Sequence, residues 1–74
     1  MDAILYTRRG CHLCDEAREV LETHGVVVQA VDVDAYAALR ERFNDCVPVV
    51  EIDGKIRFRG RVDAVLLRRL LSSR

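Results

Sequence analysis

An α/β sandwich with a four-stranded mixed sheet is the fold that this 74-residue chain predicts, on three observations. Short β-rich runs alternate with helix-period runs. A Cys-x-x-Cys pair falls where the first strand gives way to the first helix. An Asp-Gly pair separates two β-rich segments in the second half. A strand–helix–strand opening calls for parallel pairing through a right-handed crossover, and Asp-Gly between strands calls for an antiparallel hairpin. The order is therefore β-α-β-α-β-β-α, in one domain over residues 1–74.

Each element has a local cause. Residues 3–6 are apolar strand formers and end at Thr7-Arg8-Arg9-Gly10, a loop. From Cys11 to His24, Leu13, Ala17, Val20 and Leu21 recur at helical spacing, with Gly25 as the stop and Asp15 and Glu16 early, where acidic side chains suit the helix dipole. Residues 26–33 are β-branched enough for a second strand. Asp34 is placed to cap a second helix, in which Tyr36, Leu39 and Phe43 share a buried face. Residues 49–52 and 55–58 flank Asp53-Gly54 as the hairpin. Asp63 is placed to cap a last helix, with Leu66, Leu67, Leu70 and Leu71 as its apolar face.

Composition narrows the function classes. Twelve basic residues, eleven of them arginine, balance twelve acidic ones. A net charge of zero argues against a dedicated nucleic-acid or anionic-membrane binder, whose affinity needs a one-signed field. No apolar run is long enough for a transmembrane helix or a signal peptide, so the chain is expected in the cytoplasm, as a monomer. Three cysteines do not make a complete disulfide framework, and a reducing compartment would not maintain one.

Cys11-His12-Leu13-Cys14 is the chemical signal. Free N–H groups and the dipole at a helix N-terminus favour an anion, and a thiolate is one. Cys11 projects outward at that turn and Cys14 is drawn towards the packed side. The outer thiolate attacks a disulfide, and the inner thiol then attacks Cys11 and releases the product. His12 is either a solvated spacer or a source of positive charge near the pair. Arg57, Arg59 and Arg61 form either one solvated face or a cationic rim near the cysteines.

The run from Leu5-Tyr6-Thr7-Arg8-Arg9-Gly10 to Cys11-His12-Leu13-Cys14 resembles the opening of glutaredoxins, and Val47-Pro48, Asp53-Gly54 and Gly60 follow in that family's order. Gly10-Cys11-His12-Leu13-Cys14-Asp15-Glu16-Ala17 is similar to a stretch of the small bacterial glutaredoxin-like proteins within the thioredoxin-fold superfamily. The resemblance implies a glutaredoxin-type thioredoxin fold and a thiol–disulfide oxidoreductase, with Cys11 as nucleophile and Cys14 as resolving thiol. It implies a cis Pro48 facing the pair and a Val47 backbone that aligns the substrate. Arg8 is implied to meet a glutathione carboxylate, and Gly60 and Asp63 to hold the other end. Glutathione is then a co-substrate, no cofactor stays bound, and the partners are a disulfide-containing protein or glutathione, with glutathione or a reductase as electron donor.

Four departures keep alternatives open. Arg59 stands where the family usually has a glycine, His12 and Leu13 replace proline and tyrosine, and Cys46 replaces a threonine before Val47-Pro48. A thioredoxin-like protein-disulfide reductase that does not use glutathione is a serious competitor, although the tryptophan that precedes the cysteines in thioredoxins is absent. A small zinc module is the other alternative, from Cys11, Cys14 and Cys46 with His12 or His24. His24 lies roughly 15 Å along the helix from Cys14, and adjacent Cys11 and His12 make an awkward ligand pair, so no metal is assigned. Cys46 is either a small buried filler or a thiol that reacts with the pair.

Overall fold

The computed structural model describes residues 2–43 and 47–72. Its four strands are β1 (Asp2–Thr7), β2 (Val27–Asp32), β3 (Val49–Ile52) and β4 (Lys55–Arg59), in spatial order β2-β1-β3-β4. β1 pairs with β2 in parallel, Leu5 opposite Ala30, and with β3 antiparallel, Leu5 opposite Val50. The mixed sheet is the one expected. Its helices are α1 (His12–Thr23), α2 (Ala37–Phe43) and α3 (Ala64–Ser72), with a 3₁₀ turn at Val33–Ala35.

The period-2 alternation of β1 decides the layers. Ala3 and Leu5 point into a core shared with Ala17 and Leu21 of α1 and Leu67 of α3. Ile4 and Tyr6 point the other way, onto Val33 and onto Phe43 of α2. So α1 and α3 cover one face of the sheet and α2 the other. The Tyr6 and Phe43 rings lie 4.7 Å apart, centroid to centroid.

Helix ends follow the residues. After α1, Gly25 takes φ 79°, its N–H donates to Glu22 at 3.0 Å, and the Val26 N–H donates to Leu21 at 3.0 Å. This left-handed stop satisfies two carbonyls and returns Val26 to the core beside Leu21. At Asp53 (φ 55°) and Gly54 (φ 78°) both central residues are left-handed, the geometry of a type I′ hairpin. The Asp63 carboxylate accepts from the Val65 and Leu66 N–H groups at 2.8 and 3.3 Å and caps α3 as expected.

Four expectations are corrected. Asp34 caps no helix. Asp32 caps the 3₁₀ turn instead, accepting from the Asp34 N–H at 2.9 Å, because Val33 is fully buried and the chain must turn at once to bury it. Tyr36 is extended (φ −133°) between the turn and α2, which removes it from the face of Leu39 and Phe43 and leaves it 60% exposed. Leu66, half-exposed, lies about 100° around α3 from the fully buried Leu67 and outside the packed stripe of Leu67, Leu70 and Leu71. Phe58 pairs with Val50 and Ile56 with Glu51, so Arg57 is the extra residue of a β-bulge and the even alternation of Arg57 and Arg59 is broken.

The contrast within α3 is measurable. Leu67→Ala is expected to cost about 2–5 kcal/mol in urea unfolding, and Leu66→Ala less than about 0.5 kcal/mol.

Candidate active site at the head of the first helix

β1 ends at Thr7, and a turn closed by the Cys11 N–H on the Arg8 carbonyl (3.2 Å) reverses the chain into α1. Cys11 is the N-cap, with extended φ/ψ of −90° and 108°, and its carbonyl accepts the first helical bond from Asp15 at 3.3 Å. Its sulfur takes the place usually held by a capping oxygen. The Cys14 N–H donates to Cys11 Sγ at 3.2 Å. A thiolate at Cys11 would be the stronger acceptor of that bond, since an ionised partner roughly doubles a hydrogen bond.

The two thiols differ in access. Cys11 is half-buried and Cys14 is 2% exposed, and neither is in a disulfide. Burial pushes the Cys14 thiol above its ordinary value, and its hydrogen bond with the Cys11 side chain adds to that; the Thr7 side chain and the Arg8 backbone work against it. Cys14 is thereby held as the neutral thiol inside, beneath the sulfur it would attack.

Leu13 is not in the core as its spacing suggested. It is 47% exposed, and Cys14 joins Ala17 and Leu21 as the buried stripe of α1. Leu13 instead lines a groove of about 560 Å³ between α1 and the segment leading into α3, where Asp63 also lies. On the other flank, a cavity of about 290 Å³ reaches Cys14 and is lined by Thr7, Arg8, Arg9, Arg18 and Asp32.

The remaining candidates fall in three places. Arg8 is engaged by a partner the sequence did not suggest: its Nε and a terminal nitrogen donate to the two carboxylate oxygens of Asp34 at 2.9 and 3.1 Å. This two-pronged pair ties the loop before Cys11 to the turn after β2. Pro48 is fully buried, follows a cis peptide bond from Val47, and accepts the Gly60 N–H on its carbonyl at 2.7 Å. Gly60 and Pro48 are thus joined, while the half-buried Val47 side chain packs towards Tyr6 and Phe43. Asp63 caps α3.

His12 is exposed, and His24 has its ring Nδ1 2.7 Å from the Val20 carbonyl oxygen, at the end of α1 where a cation suits the dipole. Among the described residues no group of three or more His, Cys, Asp or Glu side chains is placed to hold a metal ion. Cys46, with both readings of its role, lies outside the described residues. Among the described residues no helix is long and apolar enough to cross a membrane.

A family model described as a glutaredoxin-like domain (DUF836) matches residues 2–72. The chain belongs to the glutaredoxin-like family. Over 68 aligned residues it is 32% identical to the glutaredoxin-like protein YDR286C homolog of Dictyostelium discoideum, covering 78% of this chain and 63% of that one. It therefore spans less than two thirds of that relative's length. Among solved structures it resembles protein XcR50 of X. campestris, with a TM-score of 0.83, 33% identity and 97% of each chain covered. It also resembles the glutaredoxin-like protein NrdH-redoxin of Escherichia coli, with a TM-score of 0.69, 27% identity and 95% of each chain covered. The thioredoxin-like fold of this glutaredoxin-like chain is the one its sequence implied.

Two of the site's features left little trace in the sequence. The Arg8–Asp34 pair spans 26 residues and depends on the parallel pairing of β1 with β2. The Thr7 side chain meets Cys14 because β1 delivers Thr7 to the end of α1, and only a register could have told that in advance.

The asymmetry of the pair has two measurable consequences. Iodoacetamide at neutral pH is expected to alkylate Cys11 and leave Cys14 unmodified in peptide mapping, because both access and protonation protect Cys14. The raised Cys14 value also sets a sign. Its contribution to the stability of the reduced protein is present in full below the ordinary thiol value of about 8.5, and is lost as pH rises from there through the folded value. Urea midpoints of the reduced protein should fall across that alkaline range, and Cys14→Ala should flatten the fall.

Proposed function

We propose that the chain is a thiol–disulfide oxidoreductase in which Cys11 attacks and Cys14 resolves. One observation carries the reading: the half-buried Cys11 sulfur receives the Cys14 N–H at 3.2 Å, while Cys14 itself is 2% exposed. The Cys11 thiolate attacks one sulfur of the substrate disulfide. The substrate S–S bond breaks, its other half leaves as a thiolate and takes a proton from water, and a mixed disulfide forms on Cys11. Cys14 then gives up its proton and its sulfur attacks Cys11. The Cys11–Cys14 disulfide forms and the second substrate thiol departs. Two electrons have passed from the dithiol to the substrate, and a thiol reductant, glutathione or a reductase, returns them.

The roles of the other residues follow the same reading. The Val47 backbone and Pro48 align the substrate disulfide, with the bond from Gly60 holding Pro48 in place. Asp63 acts from the head of α3, and Arg8, paired with Asp34, holds the loop before Cys11 beside the substrate. The protein works in the cytoplasm as a single chain, without a bound cofactor.

Within this activity the thioredoxin-like branch is favoured by a specific observation. Arg8 Nε and one terminal nitrogen already hold both oxygens of Asp34, so a glutathione carboxylate meets a guanidinium that is paired with an anion. NrdH-redoxin, similar over 95% of its length, has a thioredoxin-like activity profile. The substrate is then a protein disulfide.

Cys11→Ser is expected to abolish reduction of a small mixed disulfide, and Cys14→Ser to accumulate the adduct on Cys11, seen as added mass. Activity of Cys11→Ser equal to that of the unaltered protein would sink the proposal. Turnover driven by NADPH with thioredoxin reductase should exceed turnover with glutathione and glutathione reductase, and the reverse ranking restores glutathione as the co-substrate.

A further inference from the structure

The groove beside Leu13 has a chemical character of which the exchange reaction uses only Asp63. Its floor is apolar, from Leu13 and Val20 of α1 with Val62 opposite. Its rim carries three carboxylates, Glu16, Glu19 and Asp63, against one guanidinium, Arg61, a formal balance of −2. Neither Glu16 nor Glu19 forms an ion pair among the described residues. Leu13, nearly half-exposed, lies in the chain between the two cysteines, so the groove runs along α1 from its first turn, two residues on from Cys11.

The other flank is the weaker candidate. Its cavity is about half the size, at about 290 Å³ against about 560 Å³. Two of its arginines already face carboxylates, Arg8 at Asp34 (2.9 Å) and Arg18 at Glu22 (3.6 Å). The molecule as a whole is neutral, so it exerts no net pull of either sign on an approaching partner. The local field at the groove is therefore the one that discriminates.

We infer that this groove is the docking site for the substrate protein, and that it takes a segment in which basic and apolar residues flank the disulfide. The apolar side chain covers Leu13 and Val20, and the basic one lies between Glu16, Glu19 and Asp63. This rests on the exchange reading of Cys11 and names the substrate class for it. An anionic disulfide meets like charge on that rim, which costs it encounter rate as well as binding. Charge complementarity of this kind changes association rates about tenfold or more, and the effect fades as salt shortens the screening length.

The test uses two synthetic peptides, each joined by a disulfide to the coloured thiol 2-nitro-5-thiobenzoate. They are identical except that the cysteine is flanked by lysine and leucine in one and by glutamate and leucine in the other. Release of the coloured thiol is timed on mixing with the reduced full chain. The lysine peptide is expected to react about tenfold faster at low salt. The ratio should shrink towards one at about 1 M salt, where the screening length is about 3 Å, and in the Glu16→Gln/Glu19→Gln variant. Equal rates at low salt, a faster glutamate peptide, or a ratio unmoved by both salt and the double substitution would overturn the inference while leaving the exchange reading intact. Failure of both peptides to react overturns the exchange reading itself. Because the salt dependence is measured on the unaltered protein, the inference stands or falls even where the double variant does not fold.

Discussion

The capping of α1 by a sulfur is the interaction on which the reactive end of this molecule depends. A helix needs acceptors for its first N–H groups, and Cys11 meets the need of Cys14 with its own side chain at 3.2 Å. The same bond fixes which cysteine faces out. With Cys11 as the cap, Cys14 falls three residues on, on the stripe that Ala17 and Leu21 bury against β1 and β3. One local geometry thus sets the access of the first thiol, the burial of the second and the distance between them. The remainder of the fold serves mainly to hold β1 and α1 in that relation.

Two long-range ties do so at the loops, where the sheet itself gives no support. Arg8 and Asp34 join the loop before the cysteines to the turn after β2, and Gly60 and Pro48 join the segment before β3 to the exit of β4. Exposed ion pairs are worth only about 0.2–1 kcal/mol each, so the value of the Arg8–Asp34 pair lies in position more than in stability. It occupies a cation beside the dithiol that an anionic substrate would otherwise meet. Together with the acidic groove along α1, it reduces the unpaired positive charge beside the dithiol, although eleven residues of the chain are arginines.

The elements with strong local chemistry were legible in the sequence. Gly25, Asp53-Gly54, Asp63 and the Cys-x-x-Cys at a strand–helix junction each act within a few residues, and each sits where its chemistry puts it. Misreadings arose where burial of one neighbour redirected the chain. Val33 had to be buried, so a 3₁₀ turn replaced the start of a helix, Asp34 was released to Arg8 and Tyr36 was left outside. Leu13 and Leu66 look like core residues on spacing alone, yet each lies at the margin of its stripe, and the buried side is set by packing on the sheet rather than by periodicity. The bulge at Arg57 follows from the register of β3 against β4, which has no local signature.

The central claim is that Cys11 and Cys14 act as one two-electron unit. The most direct measurement is a redox titration in which the Cβ chemical shifts of all three cysteines are followed by NMR in buffers of graded thiol–disulfide ratio. Cys11 and Cys14 should convert together at a single midpoint with a two-electron slope, independent of protein concentration, while Cys46 stays in its reduced position. Conversion of Cys11 without Cys14, pairing of Cys11 with Cys46, or a midpoint that moves with protein concentration would contradict the account.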